Sequence, residues 1–176
     1  MMNSKPTYKL TDKDFNQINR RSLFGFQLGW NYERMQNTGY LFLILPQLRK
    51  IYGDNTPELQ EMMKTHVQFF NTSNFFNTII TGIDLAIEEN EGVEGKDTVT
   101  GLKVGLMGPF AAIGDSIFAA LIPTIFGALA ASMASQGNPV GVFIWIAAQI
   151  AICFFRWKQL RFAYDKGVTL VTDMRD

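Results

Sequence analysis

The chain has 176 residues, 47% of them hydrophobic, and its 16 basic side chains balance its 16 acidic ones. This length allows one domain, or one domain with an extension. A net charge of zero leaves no basic footprint for nucleic acid, so we exclude that class of partner. The single cysteine, Cys153, lies in an apolar run and can form neither an internal disulfide nor a cysteine-based metal cluster.

The N-terminal segment, MMNSKPTYKLTDKD, lacks the apolar core of a signal peptide. We therefore expect the N-terminus to lie in the cytoplasm. Thr11 followed by Asp14 is a capping-box-like pattern, with Asp in place of Glu, and predicts a helix start. The apolar residues that follow predict an amphipathic helix on a membrane surface or a partner, and they are Phe15, Ile18, Leu23 and Phe26.

The segment Trp30 to Asn37, WNYERMQN, is dense in side chains of the types that recognise sugars. Aromatic rings such as Trp30 stack on pyranose rings, and Asn31, Glu33 and Arg34 supply hydrogen-bond donors and acceptors. The alternative is a helix end at the membrane surface, in which Glu33 and Arg34 are solvated or paired.

A second helix start follows at Thr56, where Pro57 takes the first helical position and Glu58 favours the positive end of the helix dipole. The only histidine, His66, lies on the predicted apolar face, which consists of Leu59, Met62, Met63, His66, Val67 and Phe70. A lone histidine on such a face is more often a packing residue than a general base or a phosphate acceptor. Asn71, among phenylalanines, predicts either a polar loop in an apolar pocket or a helix-ending turn.

Residues 88–97, EENEGVEGKD, are predicted to form a solvated acidic loop. Gly101 and Gly105 form a small-xxx-small pair, which lets helices approach closely. Asp115 then lies at the threshold of an apolar stretch. An ionisable group at such a depth usually faces a cavity or a partner and marks a transport path. The alternative is a helix cap in an interfacial loop.

The stretch from Ser116 to Phe155 contains no charged residue. Gln136-Gly137-Asn138-Pro139 divides it into halves of about 17–20 residues, roughly the length that crosses the hydrocarbon layer as a helix. We therefore predict a membrane helix hairpin. The alternative is a pair of buried helices in a large soluble core, although soluble helices normally keep a polar stripe.

Basic residues cluster directly after the last apolar run, at Arg156, Lys158, Arg161 and Lys166. The positive-inside rule places this end of the hairpin in the cytoplasm. Trp157 and Tyr164 suit the aromatic belt at a membrane interface. The Asn138-Pro139 turn is then expected at the far face of the membrane or partway across it.

Four of these motifs, in this order, resemble the IID membrane component of the mannose-family sugar phosphotransferase system (PTS). They are WNYERMQNTGY at Trp30 to Tyr40, HVQFFNT at His66 to Thr72, LAIEE at Leu85 to Glu89 and GLKVGLMGPFAAIGDSIF at Gly101 to Phe118. The resemblance runs from about Leu10 to Met174.

This resemblance implies a IIC membrane partner, with which a IID subunit forms the sugar-translocating unit, and a higher oligomer of IIC–IID pairs. Soluble IIA and IIB components carry the phosphohistidines, and a mannose-type hexose or related sugar is phosphorylated as it reaches the cytoplasm. The chain is then a non-catalytic subunit of a prokaryotic inner (cytoplasmic) membrane, multi-pass, without catalytic residues, cofactor or metal. The residues expected to bind the sugar or support its path are Trp30, Asn31, Glu33, Arg34, His66, Asn71 and Asp115.

The chain departs from the family pattern in two places. Family members often follow Gly-Asp-x-x-Phe with Trp and, a few residues later, Arg, whereas this chain has AALIP at Ala119 to Pro123. The sugar therefore stays unassigned. Family members also continue through a Gly-rich segment into further hydrophobic sequence, so this chain reads as a IID unit shortened at its C-terminus.

The combined expectation is an all-α integral membrane protein with N-terminal amphipathic or interfacial helices and a C-terminal hydrophobic helix hairpin. We assign residues 1–100 to the interfacial part and residues 101–176 to membrane helices with a basic cytoplasmic flank. Two other functions stay open. One is a membrane-bound enzyme that uses His66 with Glu33 or Asp84, and the other is a non-transporting interaction or receptor protein.

Overall fold

A computed structural model describes residues 6–173, with side chains to residue 169. Within this range the chain is all-α, as predicted, and forms no β-sheet. Two short 3₁₀ turns, Phe26–Gly29 and Gly92–Gly95, and a π-helical segment, Asp115–Leu121, connect the longer helices. The α-helices are α1 (Asp12–Phe24), α2 (Asn37–Tyr52), α3 (Pro57–His66), α4 (Asn77–Glu91), α5 (Lys96–Gly114), α6 (Ile122–Ser135) and α7 (Val140–Asp173).

Both predicted helix starts are confirmed. The Asp14 carboxylate accepts hydrogen bonds from the Thr11 backbone N–H, at 2.9 Å, and from the Thr11 hydroxyl, at 2.7 Å. The Thr56 hydroxyl accepts the Leu59 backbone N–H at 3.1 Å and caps α3. These bonds satisfy N–H groups that have no partner inside the helix.

The core lies among α1, α2, α3, α4 and the C-terminal half of α7. Its close packing depends on glycines where α4 crosses α7. A Cβ atom on Gly82 would lie 2.6 Å from the Leu160 carbonyl oxygen, and one on Gly167 would lie 2.9 Å from the Cα of Ile83. The largest fully buried apolar side chains include Ile18, Phe26, Tyr40, Leu43, Phe70, Ile80, Leu85 and Leu160.

Two helical stretches are long and apolar enough to cross a membrane, Asn77–Ser135 and Val140–Thr169. Their apolar side chains face outward, as Ile125 (54% exposed), Phe143 (65%) and Phe154 (67%) show. This exposure contradicts the alternative of a buried soluble core and confirms the hydrophobic hairpin. The predicted turn between its arms is also confirmed, with Gly137 at φ 74°.

Two details of the sequence interpretation are wrong. Residues 88–97 are not a solvated loop, because α4 continues to Glu91 and both Glu88 and Glu89 are buried. α3 ends at His66, so Val67 and Phe70 lie beyond the helix whose face they were predicted to share. The assigned division between residues 100 and 101 falls inside α5 and stays a prediction.

Candidate functional site

A cluster of polar side chains is buried where α2, α3, α4 and α5 meet. α3 contributes His66 at its last residue, and α4 contributes Asp84 and Glu88, one helical turn apart. α5 contributes Lys103 and α2 contributes Tyr40. All five residues are buried, with at most 4% of their surface exposed. We call these five residues the buried cluster.

The hydrogen bonds of the buried cluster define the tautomer of His66. Lys103 Nζ lies 3.3 Å from His66 Nδ1, and His66 Nε2 lies 2.5 Å from a Glu88 carboxylate oxygen. An ammonium group can only donate, so Nδ1 accepts and Nε2 carries the proton that is donated to Glu88. The Tyr40 hydroxyl donates to Asp84. A directed chain of hydrogen bonds therefore runs from Lys103 through His66 to Glu88.

Electrostatics keep His66 neutral in this chain. Burial and, to a smaller extent, the Lys103 charge lower the pKa of His66 to about 3 against the opposing effect of the Asp84 charge. The Lys103 ammonium also lies 4.0 Å from the centre of the Tyr40 ring and 5.2 Å from that of Phe70. Lys103 is one of only three buried residues of α5. The buried cluster therefore joins α5 to the rest of the core.

The geometry of the buried cluster favours a structural role. His66, Asp84 and Glu88 each present a ligand-type atom within 4.8 Å of the others. However, the Lys103 ammonium lies within hydrogen-bonding distance of Nδ1. This residue therefore already supplies a positive charge at the place where a metal ion would bind. Both ring nitrogens of His66 are engaged and the residue is 0% exposed, which closes it to a phosphate donor.

Two of the sequence motifs are joined by hydrogen bonds outside the buried cluster. The Gln36 side chain donates to the Thr72 carbonyl at 2.8 Å and accepts the Thr72 backbone N–H at 2.9 Å. The Asn37 amide donates to the Val67 carbonyl at 2.9 Å. The loop before α2 and the segment after α3 are consequently one structural unit.

The sugar-recognition candidates of the first motif lie at the surface of this unit. Asn31 shapes the loop, because its side chain accepts the Arg34 backbone N–H at 2.8 Å and donates to Asn37 at 2.7 Å. Glu33 and Arg34 form an exposed ion pair at 3.2 Å. Trp30 is 42% exposed. Trp30, Glu33 and Arg34 are therefore accessible to a ligand or a second protein, whereas the amide of Asn31 is engaged within the loop.

Asn71 lies within the segment from Phe70 to Ser73, and Asp115 follows a residue that packs on this segment. Both are exposed. Asn71 follows Phe70, whose backbone N–H donates to the Arg34 carbonyl at 3.4 Å. Gly114 packs directly on Ser73, since a Cβ atom there would lie 2.4 Å from the Ser73 side chain. The segment from Phe70 to Ser73 therefore links the first motif to the start of the π-helical segment that holds Asp115.

Comparison with known proteins decides the family. A model of the PTS system mannose/fructose/sorbose family IID component matches residues 9–176. The chain belongs to this IID family. It is 37% identical over 170 residues to the mannose-specific EIID component of Escherichia coli K12, covering 94% of this chain and 60% of that protein. It is 35% identical over 172 residues to the fructose permease IID component of Bacillus subtilis 168, covering 94% and 61%.

Solved structures support the same fold for this IID chain. The cryo-EM structure of the mannose transporter ManYZ in complex with microcin E492 is similar with a TM-score of 0.86 at 34% identity. It covers 94% of this chain and 62% of that one. A second structure, described as a membrane protein, has a TM-score of 0.82 at 35% identity. The IID chain thus spans about 60% of the length of the relatives it matches.

The sequence analysis of this IID chain did not predict that Tyr40, Asp84, Glu88 and Lys103 lie together around His66. It placed Glu88 in solvent and considered Asp84 only as a partner of His66 in a rival enzyme. It gave Lys103 and Tyr40 no role. One signal was available: Asp84 and Glu88 stand four residues apart in an apolar helix, so they share one face. That pairing predicts a buried cation opposite them, although not which lysine supplies it.

Proposed function

We propose that this IID chain belongs to the membrane subunit of a PTS permease that takes up a mannose-type hexose or a related sugar. The observation that carries the proposal is the match to the IID family along residues 9–176. Relatives with mannose, fructose and sorbose in their names agree with a hexose-type substrate. The proposed location is a bacterial inner membrane, with more than one spanning helix.

The proposed partner is a IIC subunit, which with IID forms the sugar pathway. Exposed apolar side chains on α5, α6 and α7 support this assignment, since they need lipid or another helix to cover them. A Cβ atom added to Gly101, Gly105 or Gly108 would meet nothing within 4 Å. Such small residues let a partner helix approach closely. Phosphate is supplied by IIB and IIA, and the complex is a higher oligomer of IIC–IID pairs.

The proposed path for the sugar runs beside the surface that contains Asn31, Glu33, Asn71 and Asp115. Each of these side chains hydrogen-bonds hydroxyl groups well. Trp30 offers an exposed face for stacking on a sugar ring, and Arg34 pairs with Glu33. His66 supports this surface from within the buried cluster.

Uptake of labelled sugar tests the proposal in a bacterial strain that lacks its own IID subunit. The complete subunit, expressed with its IIC partner, should restore uptake. Alanine at Asn31, Glu33, Asn71 or Asp115 should lower it, because loss of one hydrogen bond that the bound sugar buries costs about 1–3 kcal/mol, or about 5- to 150-fold in affinity. Asn16→Ala and Glu58→Ala are matched controls, since both residues are exposed and distant in sequence from these motifs.

The outcomes distinguish transport from a second candidate, a non-transporting receptor. The solved ManYZ structure is a complex with microcin E492, so a transporter of this fold binds a molecule other than its sugar. Uptake that depends on this chain excludes the receptor. Normal uptake by all four alanine variants, with normal membrane levels, would place the sugar site wholly in the partner.

A further inference from the structure

A small cavity of about 120 Å³ lies between the end of α1, the 3₁₀ turn that follows it, and α7. At about 30 Å³ per water molecule, it holds only a few waters. It therefore suits a small charged group. Its polar lining comes from Ser22, Gln27, Asn74 and Arg156, and its apolar lining includes Phe24 and Leu28.

Arg156 is the positively charged residue in the lining of this cavity. Its Nε atom is buried and has no hydrogen-bond partner in the part of the chain that the structure describes. The guanidinium lies 5.5 Å from the centre of the Phe75 ring, a contact that gives Nε no hydrogen-bond acceptor. A buried donor left unpaired is destabilising, and a guanidinium pairs best with a carboxylate or phosphate. Its chemistry calls for an anion.

The cavity lies at the depth where the apolar stretch ends. α1 runs antiparallel to α7, because Asp12 pairs with Arg161 at 2.9 Å and the Asn19 amide donates to the Trp157 carbonyl at 2.9 Å. Phe24 comes five residues after Asn19, about 7.5 Å further along the helix axis. On α7 the same direction leads from Trp157 into the uncharged residues. The end of α1 therefore reaches into the edge of the hydrocarbon layer.

The rim of the cavity is apolar and exposed. Phe24 is 79% exposed and Leu28 is 85% exposed. Trp30 and Tyr32 stand beside them in sequence, with ring centres 4.7 Å apart. Trp and Tyr are enriched at membrane interfaces, and basic pockets among membrane helices bind lipid head groups. A charged cavity with such a rim matches a molecule that has a phosphate at one end and hydrocarbon at the other.

We propose that this cavity binds the phosphate group of an anionic phospholipid. Arg156 pairs with the phosphate, and amide N–H groups of Gln27 and Asn74 that are free of their mutual 2.5 Å hydrogen bond add donors. The acyl chains lie outside the cavity against Phe24 and Leu28. The site does not depend on sugar transport, so it stands or falls separately from the proposed function.

Native mass spectrometry tests the proposal with the complete subunit, purified together with its membrane partner. The complex is placed in nanodiscs of phosphatidylcholine alone or with phosphatidylglycerol, and the phosphatidylglycerol retained per complex is counted. Arg156→Met should reduce retention about tenfold or more, as expected for loss of a charge-assisted hydrogen bond. Lys158→Met is the matched control, since Lys158 is exposed, has the same charge and lies two residues away. It should retain the lipid.

Each other outcome overturns the proposal. Equal loss in both variants would show that general surface charge, and not the cavity, holds the lipid. If inorganic phosphate added to phosphatidylcholine nanodiscs fills the site equally well, the ligand is a free phosphate. If Arg156→Met releases the partner subunit while lipid retention stays normal, the cavity is a protein interface. Should Arg156→Met not fold, Gln27→Leu on the exposed turn provides the same comparison, and unchanged retention there would count against the site.

Discussion

At the scale of single residues, His66 acts through two hydrogen bonds at once. It accepts from Lys103 and donates to Glu88, so its removal leaves a buried ammonium and a buried carboxylate without partners. We predict that His66→Ala lowers the free energy of unfolding by about 1–3 kcal/mol or more. His66→Gln should lose less, because an amide both donates and accepts. Thermal unfolding of the purified complex measures the difference.

The same pair of variants distinguishes structure from catalysis. If His66 carried phosphate, both His66→Ala and His66→Gln would lose all activity. It would also leave acid-labile phosphate on this chain when labelled phosphoenolpyruvate is supplied with the full phosphotransfer chain. We expect no such label and substantial uptake with His66→Gln. Equal stability of the alanine and glutamine variants would refute the hydrogen-bonded role.

The pKa of His66 predicts a pH dependence of stability. Burial lowers that pKa to about 3 in the folded protein, against about 6.5 in the unfolded chain. Between these values the unfolded chain binds a proton that the folded protein does not. Stability is therefore complete above pH 6.5 and is lost as the pH falls, by at most about 1.4 kcal/mol per unit.

Unfolding midpoints measured from pH 7.5 to pH 5 in wild type and His66→Gln check this prediction. At pH values below 6.5, the unfolding midpoint of the wild type should become lower relative to that of His66→Gln, because the variant lacks the titrating group. Carboxylates outside the buried cluster titrate alike in both proteins, so the difference reports His66 together with its neighbours Asp84 and Glu88. Two parallel pH profiles would show that His66 is not held neutral.

At the scale of helices, the crossing of α4 and α7 depends on the absence of a side chain at Gly82. A Cβ atom there would lie 2.6 Å from the Leu160 carbonyl and 2.8 Å from the Tyr164 backbone nitrogen. Backbone atoms cannot yield as a flexible side chain can, so we predict that Gly82→Ala destabilises the fold by about 1–3 kcal/mol.

Gly105→Ala is the matched control for this prediction. It is also a helical glycine, but an added Cβ atom meets nothing within 4 Å of this chain. Replacing glycine by alanine in a helix otherwise stabilises by up to about 1 kcal/mol. Unfolding measured without the partner should therefore separate the two variants in opposite directions. Equal stability would show that the helices can separate at no cost.

Local signals explain which helical features were predictable. Thr11 with Asp14, Thr56 with Pro57, and Gly137 before Pro139 each act on neighbouring residues, and all three features are confirmed. Beyond the shared face that the spacing of Asp84 and Glu88 indicates, the burial of Glu88 was not predictable from local signals. It depends on His66 from α3 and Lys103 from α5, which only the tertiary fold brings within reach.

The π-helical segment at Asp115–Leu121 was equally inaccessible to sequence reasoning. Helical hydrogen bonds continue through it, so Asp115 is not a cap in a loop, which was the alternative interpretation. Its residues are apolar after Ser116 and give no composition signal for a π-helix. π-helical turns occur often at functional sites, which agrees with the proposal that the exposed Asp115 carboxylate lies beside the sugar path.

At the scale of the whole molecule, the polar and apolar parts of the chain face different surroundings. The buried cluster, the loop before α2 and the segment after α3 form a well-packed unit. The α6–α7 hairpin instead presents Ile125, Phe143 and Phe154 outward. Large exposed apolar surfaces mark interfaces with proteins or membranes. The exposed apolar side chains of this hairpin therefore need lipid or another protein surface to cover them.

The arrangement of charge across the hairpin predicts its orientation. Val140 to Phe155 spans about 24 Å as a helix, close to the roughly 30 Å hydrocarbon thickness. The turn at Asn138 and the basic residues after Phe155 thus lie near opposite faces. Transfer of Arg156, Lys158 and Arg161 across the membrane is unfavourable, so we predict that they are cytoplasmic.

Single cysteines at Asn138 and Lys158, each in a Cys153→Ala background, check this orientation. Both positions are exposed, so a membrane-impermeant maleimide can react with either. In intact cells Lys158→Cys should stay unlabelled and should react only after the cells are permeabilised. Asn138→Cys, at the tip of the hairpin, should react from outside wherever the turn reaches the far surface. Efficient labelling of position 158 in intact cells would reverse the orientation, and with it the leaflet in which Arg156 meets its phospholipid.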